Sequence, residues 1–187
     1  SGKIFFTQAL GAFIPEQQQK SLDLSDIKPD QSKAIGMSLG NYFVFNNGIR
    51  GRTTLTAQKA FAPLIGSMRF QVGADSGLIG LPGSIASGDS GIQLNADGFV
   101  PLTQIKGWKF GLKPFAGFAS LSTETTLGEL SNTVGAAGAM LNITYPARQL
   151  SFDIGWAHQY SDRKSVKQSW DTWSLCHVLL MSFQLRL

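Results

Sequence analysis

The stretch that decides the fold runs from Gly73 to Leu102 and reads GADSGLIGLPGSIASGDSGIQLNADGFVPL. Its first part combines small residues and Pro82 with six glycines: Gly73, Gly77, Gly80, Gly83, Gly88 and Gly91. Because glycine allows close backbone approach and positive φ, this density predicts a loop folded tightly against other parts of the protein. The residues then alternate, with Ile92, Leu94 and Ala96 on one side and Gln93, Asn95 and Asp97 on the other. This alternation predicts a strand with one apolar and one polar face.

Strands of the same design are predicted on both sides of that loop. The clearest polar row is Arg52, Thr54, Thr56 and Gln58. Other segments rich in strand-forming or alternating residues are Lys3–Ile14, Ile35–Phe45, Met68–Val72, Trp108–Ser122, Val134–Tyr145, Leu150–Tyr160 and Leu179–Leu187. Together they give about eight or nine strands and no helix, which predicts an all-β antiparallel fold.

The connections between these strands alternate roughly between short turns and long polar loops. Short turns are predicted at Asn46–Gly48, Lys106–Gly107 and Pro146–Arg148, and long loops at Pro15–Gln31, Thr123–Asn132 and Ser161–Ser169. Outer-membrane barrels have this arrangement, with tight turns at one end and extended loops at the other.

The composition favours a membrane barrel formed by one domain over residues 1–187. Hydrophobic residues make up 43% of the chain and charged residues only 15%, against about a quarter charged in soluble domains. No apolar run approaches the length of a transmembrane helix. We therefore expect an antiparallel transmembrane β-barrel, or part of a larger one, whose lumen is lined by Arg52, Thr54, Thr56, Gln58, Gln93, Asn95 and Asp97. A soluble barrel or sandwich, whose strands also alternate, is the competing interpretation.

Several other classes of function are disfavoured by the residues. The net charge of +4 comes without dense Lys/Arg clusters, which argues against nucleic-acid binding. The single Cys176 excludes an intrachain disulfide and a cysteine-based zinc site. Gly88–Gly91 spells the nucleophile motif of chymotrypsin-like proteases, but His158 and His177 both follow it. A polar turn in which Asp89 binds local backbone amides is favoured, so no enzyme, cofactor or metal is predicted.

Five basic residues are candidates to face the lumen: Arg50, Arg52, Arg69, Lys109 and Lys113. They either make the lumen cationic and set its ion selectivity, or are neutralised by Asp97, Asp153 and the backbone. The sequence leaves these two alternatives open.

A series of landmarks from Ala34 to Leu187 carries a family resemblance. They are Ala57-Gln58-Lys59-Ala60, Ser87-Gly88-Asp89-Ser90-Gly91, Asn95-Ala96-Asp97 with Pro101-Leu102, Lys113-Pro114-Phe115, and Leu150–Tyr160. Their order is similar to the C-terminal half of the barrel of two-partner-secretion transporters of the haemolysin-activator type. These belong to the superfamily of the Bam-type barrel insertases, and members have about twice as many strands, with soluble POTRA domains before them.

The resemblance implies that the Gly73–Gly91 loop folds into the lumen as a plug, positioned through Gly80 and by Gly88, Asp89 and Gly91. The family has an arginine beside the glycine at the loop tip, paired with an aspartate on the following Pro-Phe strand. Here Ile79 and Leu81 flank Gly80, and the position of the aspartate falls near Ala119. Both partners are absent together, so we expect an apolar contact by Ile79, Leu81 and Pro82 in place of the ion pair.

By this resemblance the chain is expected to be a non-enzymatic, porin-like outer-membrane pore, bacterial or organellar, for protein transport or secretion. Its partners would be membrane lipid and a polypeptide cargo, with the remaining strands supplied by the same protein or another copy. One alternative is a small outer-membrane barrel with a structural or adhesive role through its loops. Another is a soluble β-barrel that binds a small apolar ligand.

Overall fold

A computed structural model describes residues 2–11, 33–81, 83–125, 128–163 and 176–185. It contains ten strands: β1 (Gly2–Gly11), β2 (Lys33–Val44), β3 (Arg50–Ala60), β4 (Phe70–Val72), β5 (Ala86–Gly88), β6 (Ser90–Ile105), β7 (Trp108–Thr125), β8 (Gly128–Tyr145), β9 (Leu150–Arg163) and β10 (Cys176–Leu185).

Eight of these strands form one antiparallel sheet, in the order β1-β2-β3-β6-β7-β8-β9-β10, and β4 pairs with β5 separately. The predicted antiparallel all-β fold is confirmed, and the sheet is compatible with a β-barrel. Within the described ranges the sheet is not closed, because the edge strands β1 and β10 pair only with β2 and β9.

The two faces of the sheet differ as the alternation predicts, but the polar face is the enclosed one. On β6, Gln93 is 2% exposed and Asn95 is 9% exposed, whereas Ile92 and Leu94 are 46% and 50% exposed. We call the face that carries Gln93 and Asn95 the inner face, and the opposite one the outer face. A strand of a soluble sheet has the reverse distribution, with its apolar side chains enclosed.

The inner face is covered by residues 61–89, the connection between β3 and β6, which we call the inward loop. Val72 and Leu78 of this loop have no exposed surface. They belong to a hydrophobic cluster with Ala119 and Ala136 of the sheet. The main core of the described chain therefore lies between the inward loop and the inner face of β7 and β8. The covering segment begins earlier than the Gly73 predicted from the sequence.

All three predicted short turns are confirmed. Gly48 has φ 80° and donates its N–H to the carbonyl of Phe45 at 3.0 Å. Lys106 and Gly107 both have positive φ, 49° and 85°, as the tight turns that join antiparallel strands require. Pro146–Arg148 forms a single 3-10 turn. Within the described ranges, no helix is long and apolar enough to cross a membrane.

One predicted loop is wrong. Thr123–Asn132 was expected to be a polar loop, but Thr123–Thr125 continue β7 and Gly128–Asn132 begin β8, with Thr123 opposite Leu130. Polar residues are tolerated here because both faces of this hairpin end are largely exposed. In addition, Ser161–Arg163 belong to β9 rather than to a charged loop. The Pro15–Gln31 loop and the rest of Ser161–Ser169 lie outside the described residues.

The contact between the inward loop and the sheet makes Leu78 a test of the fold. We expect Leu78→Ala to lower the free energy of unfolding by about 3 kcal/mol, because it leaves a cavity in a dry contact. Leu130→Ala is the control, since Leu130 is 42% exposed at the hairpin end, and its cost should stay below about 1 kcal/mol. Chemical denaturation followed by tryptophan fluorescence measures both. Equal costs would show that the inward loop does not pack as described.

Candidate functional site: the inner face and the inward loop

The inward loop is a folded unit rather than a loose connection. Its two arms pair as β4 and β5, with Phe70 opposite Gly88 and Val72 opposite Ala86. The chain reverses beyond this pair, where the N–H of Asp75 donates to the carbonyl of Gly83 at 3.1 Å. The backbone of the loop therefore satisfies part of its own hydrogen bonding before it meets the sheet.

The base of the inward loop is held by the Asp89 carboxylate, which is 3% exposed. Its Oδ1 accepts from the N–H of Leu64 at 3.0 Å, and its Oδ2 accepts from the N–H of Glu124 at 3.1 Å. Arg69 Nε lies 3.4 Å from the same carboxylate, and Arg69 Nη2 donates to Thr123 Oγ1 at 3.0 Å. These partners are distant in sequence, so the expectation of local amide partners is wrong. Asp89 joins the loop to the end of β7.

Three glutamines of the sheet bind the backbone of the inward loop. Each side-chain amide donates to loop carbonyl oxygens that are outside regular strands. The acceptors are Met68 (2.9 Å) and Asp89 (3.1 Å) for Gln58, Ser76 (2.7 Å) for Gln93, and Gly80 for Gln159. A buried carbonyl without a partner costs about 1–3 kcal/mol. The glutamines on β3, β6 and β9 thus allow an irregular segment to lie on the inner face.

The tip of the inward loop fits the sheet closely at Gly80. Its φ is 90°, and a Cβ added there would lie 2.9 Å from Ala157 Cβ and 3.0 Å from Phe115 Cε2. Leu81 beside it is buried, while Ile79 is partly exposed. An apolar contact does hold the tip, although its most fully buried side chain is Leu78, which the sequence did not single out. Pro82 lies outside the described residues.

The strand register brings the seven candidate lumen residues together on the inner face. β3 and β6 pair so that Arg52 lies opposite Asp97, Thr54 opposite Asn95, and Thr56 opposite Gln93. Gln58 lies opposite Gly91, at the end of the pairing between β3 and β6. The inward loop covers Gln58, Gln93 and Asn95, which are at most 9% exposed. The other four remain more accessible.

Charged side chains on the inner face are mostly paired with one another. Arg52 Nη2 lies 2.8 Å from Asp97 Oδ1, and Lys113 Nζ lies 2.8 Å from Asp153 Oδ2. With Arg69 and Asp89 at the base of the loop, three of the five basic candidates are neutralised. Arg50 and Lys109 pair with no carboxylate in the part of the chain that the structure describes. Neutralisation therefore holds for three of the candidates and not for the other two.

The residues of the protease-like motif have structural partners. Ser90 Oγ accepts from the N–H of Ala60 at 2.9 Å. His158 lies beside Trp156, with ring centroids 6.1 Å apart. The side chain of His177 is outside the described part of the chain. No group of three or more His, Cys, Asp or Glu residues within the described ranges could hold a metal ion.

The sequence did not identify Gln159 or the small residues that face the inward loop. The relevant signal is the run GAAGA at residues 135–139, with Ala119 on the neighbouring strand. Small side chains at successive positions of a strand leave space on its inner face for another segment of backbone. This pattern indicates a close contact but does not identify the segment that makes it.

Comparison of the chain with protein-family models, with curated proteins and with solved structures gave no significant match. The family resemblance described from the sequence therefore stays a prediction.

The loop tip can be tested with three glycine substitutions that separate steric contact from backbone strain. Gly80→Ala combines positive φ with a close contact, and we expect it to lower the free energy of unfolding by about 2–4 kcal/mol. At Gly128, φ is 122° and an added Cβ would meet no atom within 4 Å, so we expect Gly128→Ala to cost only backbone strain, about 1–2 kcal/mol.

Gly66→Ala is the matched control, because an added Cβ would meet no atom within 4 Å and the φ of Gly66 is not positive. We expect it to be neutral or slightly stabilising. Denaturant unfolding of the three variants measures the series. If Gly80→Ala costs no more than Gly128→Ala, the loop tip does not contact Ala157 and Phe115.

Proposed function

We propose that this chain forms the wall and the inward loop of a β-barrel pore of the polypeptide-translocating type, in an outer membrane, bacterial or organellar. One observation carries the proposal: large apolar side chains are exposed on the outer face, while amide and charged side chains lie on the inner face. In water this distribution leaves apolar area hydrated, which is unfavourable. Against lipid it is the favourable one.

The apolar outer face is continuous across neighbouring strands. Leu39 lies opposite Leu55, Leu55 opposite Leu94, and Leu94 opposite Phe118, so that one row crosses β2, β3, β6 and β7. Leu39, Leu94 and Phe118 are 41%, 50% and 48% exposed. Single exposed apolar residues are ordinary on soluble proteins, whereas a connected set suggests an interaction surface. Lipid is the partner that fits an apolar row running across several strands of a sheet.

The inward loop also bears on the size of the pore. A closed barrel of eight strands is just wide enough for its own side chains. Here the inner face also carries residues 61–89, including the paired strands β4 and β5. Unpaired strand edges are not tolerated in lipid. We infer that the barrel has more than eight strands, and that the others come from the same polypeptide or from another copy.

The proposal that the cargo is a polypeptide rests on the resemblance at Ala57–Ala60 and Ser87–Gly91 and on the chemistry of the inner face. Thr54 and Thr56 offer hydroxyl groups that can hydrogen-bond an extended chain. The inward loop would narrow the passage. In the resembled family an arginine holds the loop tip, and here the contacts of Leu78, Gly80 and Leu81 take that place.

Thiol labelling tests the lipid-facing assignment, using a Cys176→Ser background. With the protein in lipid vesicles, we expect Thr54→Cys to react with a charged, membrane-impermeant reagent and Phe183→Cys to be protected. Phe183 is 66% exposed in the bare chain, so only lipid would protect it. Both variants should react after unfolding in urea. Rapid labelling of Phe183→Cys in vesicles would instead favour a soluble β-protein.

Planar-bilayer recording of the full-length protein tests the pore itself. We expect discrete currents, and a larger single-channel conductance for Gly80→Trp, because the indole displaces the loop tip from Ala157 and Phe115. Gly66→Trp is the control, since Gly66 is exposed and an added Cβ would meet no atom within 4 Å, and its conductance should match that of the wild type. A protein whose outer face is protected by lipid but which passes no current would have the structural or adhesive role instead.

A further inference from the structure

A cavity of about 500 Å³ opens on the inner face between the tip of the inward loop and the short turns. Ile79 of the loop lines one side of it, and Val44 and Arg50, which flank the first short turn, line the other. Its volume lies within the roughly 300–1,000 Å³ of small-ligand sites. The residues that line it do not include Asp89, Gln58, Gln93 or Gln159, which bind the inward loop.

The cavity contains one cationic group that no carboxylate of the described residues neutralises. Arg52 and Lys113 also line it, but each is engaged with an aspartate, at 2.8 Å in both cases. Arg50 has no carboxylate partner within the described ranges, and its side chain is exposed. A guanidinium in this state can form two parallel hydrogen bonds with an incoming carboxylate.

Arg50 lies against an aromatic ring. Its guanidinium carbon lies 4.8 Å from the centre of the Phe99 ring. That ring lies over Gly111 of the neighbouring strand, where any Cβ would collide with it. Stacking on a ring uses the face of the guanidinium and leaves its N–H edge available. The arrangement therefore presents a preorganised donor edge beside an apolar surface.

Asp97 also lines the cavity, with its carboxylate paired to Arg52. Other lining residues supply the apolar part of a recognition site. Phe99, Met140 and Ile79 contribute rings or aliphatic groups, and Tyr42 adds a phenol. A ligand that satisfies both halves carries an anionic group on an aromatic or aliphatic body. A purely apolar ligand would leave Arg50 unused, and a small inorganic anion would leave the apolar wall hydrated.

We propose that this cavity binds a carboxylate carried on an aromatic or aliphatic body, with Arg50 as the group that contacts the carboxylate and Phe99 as the residue that positions Arg50. The same chemistry occurs in an extended polypeptide with alternating acidic and apolar side chains and in a free aromatic acid. The inference goes beyond the proposed pore, because binding does not require passage through the protein.

Isothermal titration calorimetry on the detergent-folded protein tests the site with two matched probe pairs. The free-acid pair is 4-phenylbutyrate and its neutral amide, 4-phenylbutanamide. The peptide pair is a blocked tetrapeptide of alternating phenylalanine and glutamate and its glutamine counterpart. We expect at least one acidic probe to bind about tenfold more tightly than its neutral partner. Binding by the peptide alone identifies a polypeptide ligand, and binding by phenylbutyrate alone a small acid.

Two variants and one control assign the binding to the cavity. Arg50→Gln should reduce acid binding to the level of the neutral probe, a loss of about tenfold. Phe99→Leu keeps the apolar wall but removes the ring, and should weaken acid binding about threefold. Arg148→Gln removes the same charge from an exposed turn outside the cavity and should change nothing. Heat-modifiable migration on a gel verifies that each variant is folded.

Equal binding of acidic and neutral probes would overturn the proposal, and so would equal losses in Arg50→Gln and Arg148→Gln. The proposed pore and the proposed binding site can be contradicted separately. Conductance without acid-selective binding would contradict only the binding site, and acid-selective binding without conductance would contradict only the pore.

Discussion

The structure depends on one close contact, in which an irregular loop lies directly on the inner face of a sheet. At the loop tip the backbone of Gly80 approaches so closely that even a methyl group would meet Ala157 and Phe115. Such an approach is possible only where the sheet presents small side chains, as Ala119 and Ala136 do beneath Leu78. The choice of alanine and glycine on β7, β8 and β9 follows from this contact. Bulky side chains at those positions would lift the loop off the sheet.

Enclosing irregular backbone creates a second requirement, because every carbonyl removed from water needs a donor. Strands satisfy this need by pairing, and the short β4–β5 pair does so for part of the inward loop. Beyond that pair, backbone N–H groups within the loop serve some carbonyls, and the side-chain amides of Gln58, Gln93 and Gln159 serve others. The polar side chains of the inner face therefore do more than tolerate water. They supply hydrogen-bond donors to the backbone of the inward loop.

Buried or partly buried charges are also compensated by neighbouring side chains of opposite charge. Three aspartates of the inner face and the loop base lie beside basic groups: Asp97 with Arg52, Asp153 with Lys113, and Asp89 with Arg69. Pairs of this kind avoid the several kcal/mol that an isolated, desolvated charge costs. Arg50 stands apart, because an aromatic ring rather than a carboxylate positions it. This difference separates a group available to a ligand from groups committed to the fold.

The sequence by itself determined the strands, the short turns and the two chemically different faces. These features depend on neighbours in the chain: alternation fixes which side chains share a face, and residues such as Gly48 and Gly107 fix the turns. Polarity alone gave a wrong prediction of a loop at Thr123–Asn132, because a solvated hairpin end and a loop have similar compositions. Only the tertiary structure decided that Asp89 binds Leu64 and Glu124, and that Gln159 binds the carbonyl of Gly80. Those contacts join residues far apart in the chain, so they depend on the strand register and on the path of the inward loop, which no local pattern encodes.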